Sequence, residues 1–158
     1  MKPATVAQLK KELKFRSSEE LENLCLHLAK FKKENKELLT YLLFQSHDEE
    51  SYIQSVKEMI DDGFSEINTT SYYYMKKTIR KILRMVKKYI RYSKKKETEV
   101  ELLLYFCVKL NNVKPSIHRN KTLTNLYERQ KVLIKKRINA LHEDLQHDYI
   151  LEMESLNI

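Results

Sequence analysis

The chain has 158 residues, a formal net charge of +8 and 42% hydrophobic residues, so it is long and apolar enough for a buried core. That composition excludes disorder over most of the length. One glycine and two prolines cannot supply the turns that a sheet protein needs, so we expect an all-α domain over residues 1–158. The N-terminus is too polar for a signal peptide and no apolar run reaches a membrane span, which predicts a cytoplasmic protein with no membrane contact.

The predicted elements begin with capped helices. Thr5 and Gln8 have the spacing of a capping box, in which two side chains satisfy each other's backbone N–H groups, and so have Ser17 and Glu20. A second helix therefore follows Ser17, with a third behind it. The expected buried stripe of the second helix is Leu21, Leu24, Cys25 and Leu28. The apolar face of the third is Leu38, Leu39, Leu42 and Leu43.

The fourth predicted helix starts at the acidic residues 48–50, because carboxylates are stabilised at the positive end of a helix dipole. Its apolar pattern runs through Gly63, where we expect a weakened or kinked helix, since glycine costs about 1 kcal/mol in a helix. Ser71 is a good N-cap for a fifth helix that reaches about Ser93.

The sixth predicted helix is capped near Thr98. Its buried stripe is Val100, Leu103, Leu104, Cys107 and Leu110. The seventh starts near Lys121 and is expected to pass Glu152, which gives about 50 Å if it is unbroken. Two cysteines do not make a disulfide framework, so Cys25 and Cys107 are both predicted to be buried and reduced.

About seven amphipathic helices on short turns predict antiparallel neighbours, in either a compact bundle or a short HEAT-like α-solenoid. No convincing fixed-period repeat is present, so repetition is not established. Residues 20–44, ELENLCLHLAKFKKENKELLTYLLF, and residues 98–107, TEVELLLYFC, resemble an uncharacterised all-helical bacterial family. That family has no assigned function, so the resemblance implies the all-helical fold and no site residue.

The positive charge is concentrated in residues 67–96, which hold 11 Lys and Arg and no acid. Residues 1–66 carry a net −3, and residues 97–158 are neutral. At 100° per residue, the apolar arc of the fifth helix is Met75, Ile79, Ile82, Leu83, Val86 and Ile90. The opposite arc, here called the basic face, is Lys76, Lys77, Arg80, Lys81, Arg84, Lys87, Lys88 and Arg91. Like charges three and four residues apart repel by a few tenths of a kcal/mol per pair, so a uniformly basic face indicates a negative partner.

Three partners fit this face. Nucleic acid is one, because exposed tyrosines near the basic face can stack on bases, and Tyr74 and Tyr92 point away from the apolar arc. An acidic protein surface is the second. The third is intramolecular, with the acids of residues 47–66 covering the flank of the basic face. A further basic group extends the face if the two helices are close: Lys131, Lys135, Lys136 and Arg137.

Few sequence features indicate catalysis, cofactor binding or metal binding. No Gly-rich phosphate loop, Cys-x-x-Cys or His-Glu-x-x-His motif is present, so no cofactor and no metal are expected. The spacing of Arg137 and His142 resembles the Arg-x4-His motif of HEPN ribonucleases, although Ile138 replaces the usual polar residue. The resemblance implies that Arg137 stabilises the scissile phosphate and that His142 acts as acid or base. The favoured interpretation is a non-catalytic binding or scaffold domain that uses the basic face, and a HEPN-like RNA-cleaving enzyme is the alternative. The oligomeric state stays open.

Overall fold

The computed structural model describes all 158 residues and contains eight α-helices and no strand, which confirms the all-α class. The helices are α1 (Val6–Leu13), α2 (Ser18–Phe31), α3 (Lys33–Thr40), α4 (Glu49–Ser65), α5 (Tyr72–Ser93), α6 (Lys96–Asn112), α7 (Lys121–Ile138) and α8 (Glu143–Ser155). A π-helical turn occupies Tyr41–Gln45, and a 3-10 turn occupies Ile117–Arg119. None of the eight helices combines the length and apolarity that crossing a bilayer requires.

The chain divides into two compact units, Met1–Phe44 and Gln45–Ile158. The single domain predicted over residues 1–158 stays a prediction.

In the first unit both predicted capping boxes are formed, and α2 packs against α3. The expected burial of the α2 stripe is wrong, because Leu24 and Leu28 are 44% and 56% exposed. Cys25 is exposed as well, so its predicted burial is also wrong. A unit of 44 residues in short helices has too little chain to cover every apolar side chain that its helical pattern aligns.

In the second unit α6 is the central helix, in contact with α4, α5 and α7. All five residues of its predicted stripe are buried, and so are Leu102 and Phe106 on its other sides. A helix with apolar residues around most of its circumference is stable only when neighbouring helices cover them. Cys107 is a free thiol and is buried, as predicted, and this burial raises its pKa to about 12.

Helices α4 and α5 pack closely against each other where Gly63 faces Ile82. Helix α4 runs through Gly63 without ending there, as its apolar pattern predicted. A Cβ atom at Gly63 would lie 2.9 Å from Cγ1 of Ile82, closer than carbon atoms pack. Gly63 therefore permits a close approach of two helices, which the sequence pattern alone cannot distinguish from a weak point.

The seventh predicted helix is two helices, which is why the structure has eight. Helix α7 ends at Ile138, and His142 is the N-cap of α8. The turn between them is stabilised by Gln146, whose Nε2 donates to the carbonyl oxygen of Leu141 over 2.7 Å. No glycine or proline marks this break, and side-chain capping of the free carbonyls replaces the usual signal.

Candidate nucleic-acid interface

Helix α5 begins at the predicted cap, with the Ser71 hydroxyl accepting from the N–H of Tyr74, and it ends where Lys94 adopts a left-handed conformation. All six side chains of the predicted apolar arc are buried. The eight side chains of the basic face are exposed or half-buried on the other side. The sequence therefore places the apolar and the charged faces of α5 correctly.

Most of the basic face has no ionic partner. Seven of its eight cations have no carboxylate oxygen within 4.0 Å. The eighth, Lys88, places its Nζ over the ring of Tyr89, 4.7 Å from the centroid. The repulsion between neighbouring cations is therefore not cancelled by ion pairs.

Two acids of α4, Glu49 and Asp61, are engaged with the end of α5 and with α6 instead. Glu49 accepts hydrogen bonds from Ser93 and from Thr98, and its carboxylate lies 2.9 Å from the Lys95 Nζ. Asp61 lies 2.7 Å from the Lys109 Nζ and accepts a hydrogen bond from the Tyr105 hydroxyl. These contacts hold both carboxylates away from the seven unpaired cations, so Glu49 and Asp61 do not cover that part of the basic face.

The charge state of Asp61 reflects this environment. Burial opposes its ionisation, but the hydrogen bonds from Lys109 and Tyr105 together outweigh burial and hold the pKa of Asp61 below its ordinary value. The carboxylate therefore stays ionised and stays with its α6 partners at neutral pH.

An open trough of about 600 Å³ runs along part of the basic face. Its lining is Tyr73, Lys76, Lys77, Arg80, Leu83, Arg84 and Lys87. Tyr73 is 69% exposed and Tyr74 is 48% exposed, and their rings meet edge to face with centroids 5.3 Å apart. The trough thus has one aromatic ring, Tyr73, at its N-terminal end and cations along the rest, and the exposed ring of Tyr74 lies against Tyr73.

The other tyrosines near α5 serve the fold. Tyr92 is buried and stacks edge-on against Tyr89, with centroids 5.6 Å apart, so the expectation that it points away from the core is wrong. The Tyr72 hydroxyl donates to the carbonyl oxygen of Ser116 over 2.7 Å. The helical wheel misplaced Tyr92 because neighbouring side chains cover positions beyond the apolar arc.

A second concavity of about 360 Å³, here called the α5–α7 cleft, lies between these two helices. Its lining is Arg80, Leu83, Lys87, Thr122, Asn125, Leu126, Arg129 and Gln130. Arg129 is the cation that α7 contributes, and sequence reasoning missed it. Arg129 follows Thr122 by seven residues and Asn125 by four, so these three side chains share one polar face of α7. This spacing is the sequence signal that could have identified Arg129.

The basic group predicted on α7 is partly engaged elsewhere. Lys131 lies 3.6 Å from the Glu128 carboxylate and over the ring of Tyr127. The Arg137 Nε lies 2.9 Å from Glu99, although its N–H is not directed at the carboxylate, so the contact is a Coulombic pair rather than a hydrogen bond. The cation of α7 that lies beside α5 is Arg129, and not a member of the predicted basic group.

The two residues of the HEPN-like spacing have local roles. Arg137 pairs with Glu99 near the end of α7, whereas His142 caps α8, with its Nδ1 accepting from the N–H of Asp144. The helix ends between them at Ile138, so they do not share one helical face. No three side chains of His, Cys, Asp or Glu lie close enough together to hold a metal ion.

A further concavity, about 1080 Å³, lies between the N-terminal parts of α4 and α6 and contains both signs of charge. Two of its lysines pair with carboxylates of the same lining, Lys57 with Glu101 over 3.0 Å and Lys95 with Glu49 over 2.9 Å. Part of its charged lining is therefore already paired within the protein.

Comparison of the chain with models of known protein families, with curated proteins and with solved structures finds no significant match. No function and no site residue is therefore carried to this chain from another protein.

Proposed function

We propose that the protein is a non-catalytic binding domain that holds single-stranded nucleic acid by the basic face of α5. The observation that carries this proposal is the set of seven cations without an ionic partner. A solvated helix gains nothing from a single sign of charge, because mixed signs give solubility without repulsion. A chain of phosphates removes that repulsion and releases counterions.

The exposed aromatic rings favour nucleic acid over an acidic protein surface. Tyr73 lines the trough beside its cations and Tyr74 is exposed next to Tyr73, and a base stacked on an aromatic ring contributes about 1–3 kcal/mol. Stacking of this kind requires unpaired bases, which favours a single strand over a duplex. The basic residues from Lys76 to Arg91 extend about 22 Å along the helix, enough to follow several nucleotides. If the protein acts in the cytoplasm, as its sequence predicts, single-stranded RNA is the available ligand.

The test is the affinity for a fluorescent single-stranded RNA of mixed sequence, measured by anisotropy at two salt concentrations. If about five phosphates are neutralised, raising salt from about 50 to 200 mM should weaken binding about 100-fold. Reversing Lys77, Arg80 and Arg84 to Glu should abolish binding. The matched control reverses Lys114, Lys135 and Lys136, which are exposed and outside the trough, and should keep most of the affinity.

Two results contradict the proposal. Absence of binding at low salt removes nucleic acid and leaves an acidic protein surface as the partner. Equal loss in both reversal variants shows that net charge, not the basic face, governs binding. The RNA should also be recovered intact, whereas cleavage that disappears in His142→Ala would contradict the non-catalytic assignment.

A further inference from the structure

One buried amide in the second unit lacks a hydrogen-bond donor. Gln130 on α7 is 5% exposed, and its Nε2 donates to the carbonyl oxygen of Leu126 over 3.2 Å. Its Oε1 is buried and accepts no hydrogen bond. An apolar side chain of similar length would be more stable at such a position, since an unpaired buried acceptor is costly. Gln130 therefore points to a role outside the fold.

The surroundings of Gln130 indicate what kind of group supplies that donor. The residue lines the α5–α7 cleft, where Arg80, Lys87 and Arg129 also converge. None of these three cations has a carboxylate within ion-pair distance. Three unpaired cations beside one unpaired acceptor fit a ligand that carries both a phosphate and a hydrogen-bond donor.

A nucleotide has this chemistry, because its phosphate is anionic while its sugar hydroxyls and base amino groups donate. The cleft volume of about 360 Å³ lies within the range of small-ligand sites. Leu83 and Leu126 supply apolar wall, and Thr122 and Asn125 supply further polar groups.

The cleft is continuous with the trough of the basic face, since Arg80, Leu83 and Lys87 line both. We infer that the α5–α7 cleft seats one nucleotide of the strand held by the basic face, with phosphate on Arg80, Lys87 and Arg129. The Gln130 amide, which lines the cleft, turns its buried Oε1 to accept from a donor group of that nucleotide. This inference rests on the proposed function for the strand itself.

Two single substitutions test the cleft. Gln130→Met keeps the side-chain length and removes the amide, so RNA affinity should fall about three- to tenfold with an unchanged salt dependence. The same variant should melt at a higher temperature without ligand, because it removes a buried unpaired acceptor. Opposite changes in stability and affinity would not arise from a purely structural role.

Arg129→Gln should weaken RNA binding and lower the slope of log affinity against log salt by about 0.7, the loss of one phosphate contact on a single strand. The matched control is Lys81→Gln, which removes one charge from the basic face but lines neither concavity. We expect Arg129→Gln to lose more affinity than Lys81→Gln.

The failure of this inference is distinguishable from that of the proposed function. If wild type binds RNA and both cleft variants bind as wild type does, the inference is wrong and the proposed function stands. If wild type binds no RNA, the cleft is judged by NMR of the Gln130 side-chain amide during titration with adenosine monophosphate and, separately, inorganic phosphate. A shift with the nucleotide alone supports nucleotide recognition. No shift, or equal shifts with both probes, overturns it.

Discussion

The close contact between α4 and α5 allows a quantitative test of what positions the basic face. In Gly63→Ala the new Cβ would lie 2.9 Å from Cγ1 and 3.2 Å from Cδ1 of Ile82. Overpacking of this kind costs about 1–3 kcal/mol, whereas replacing glycine by alanine inside a helix contributes about 1 kcal/mol of stability. The overpacking term is the larger, so we expect the free energy of unfolding to fall by about 1 kcal/mol.

The sign of this effect should depend on Ile82. Ile82→Ala removes all three side-chain atoms that approach the new Cβ, at an expected cost of about 2–5 kcal/mol for a buried isoleucine. In that background only the helix-propensity gain and partial filling of the cavity remain. Gly63→Ala should then stabilise the protein by about 1 kcal/mol, which corresponds to a coupling energy of about 2 kcal/mol between the two positions.

Urea unfolding followed by circular dichroism measures all four proteins of this cycle. Ile79→Ala is the matched background, because Ile79 is equally buried on α5 but is not among the atoms nearest to Gly63. There Gly63→Ala should remain destabilising. An effect of the same sign and size in the wild-type and Ile82→Ala backgrounds would refute the close-approach explanation.

Three further outcomes follow from single side chains. Asp61→Asn should lower the free energy of unfolding at neutral pH by less than about 1 kcal/mol, since the ion pair is partly exposed. Because the folded pKa of Asp61 is depressed, its contribution is complete above about pH 4 and is lost as pH falls through the folded pKa, so wild type and variant should converge in acid-titrated urea melts. In the native protein Cys25 should react with a thiol reagent at once, whereas Cys107 should react only on unfolding, and two equally fast thiols would contradict its burial. Tyr73→Ala and Tyr74→Ala should each reduce RNA affinity about fivefold or more by anisotropy without changing the salt slope, and unaltered affinity would remove the stacking role.

Sequence reasoning succeeded where the determining interactions are local. The caps at Thr5, Ser17 and Ser71 each involve a residue three positions away, so the spacing of residue types identified them. The apolar arc of α5 was also correct, because a 22-residue helix repeats its pattern enough times to define a face.

It failed where the outcome depends on distant parts of the chain. A periodic stripe shows that Leu24 and Leu28 lie on one face but not whether another helix covers it. The polar groups of the cleft were missed for the same reason, since Arg129 and Gln130 become significant only beside Arg80 on another helix. One local feature was also missed, the cap at Gln146, because no conventional breaker residue accompanies it.

Because every charged residue of the basic face is positive, the face affects the rate of association with a polyanion as well as the affinity. Its positive potential reaches about 8 Å into physiological salt and attracts a polyanion before any atoms touch. The association rate should therefore depend on ionic strength and be indifferent to base sequence, whereas the dissociation rate depends on short-range contacts. Because Gln130 is recessed in the cleft, the protein would contact a strand quickly at many positions along it. It would dissociate most slowly from positions where one nucleotide enters the α5–α7 cleft.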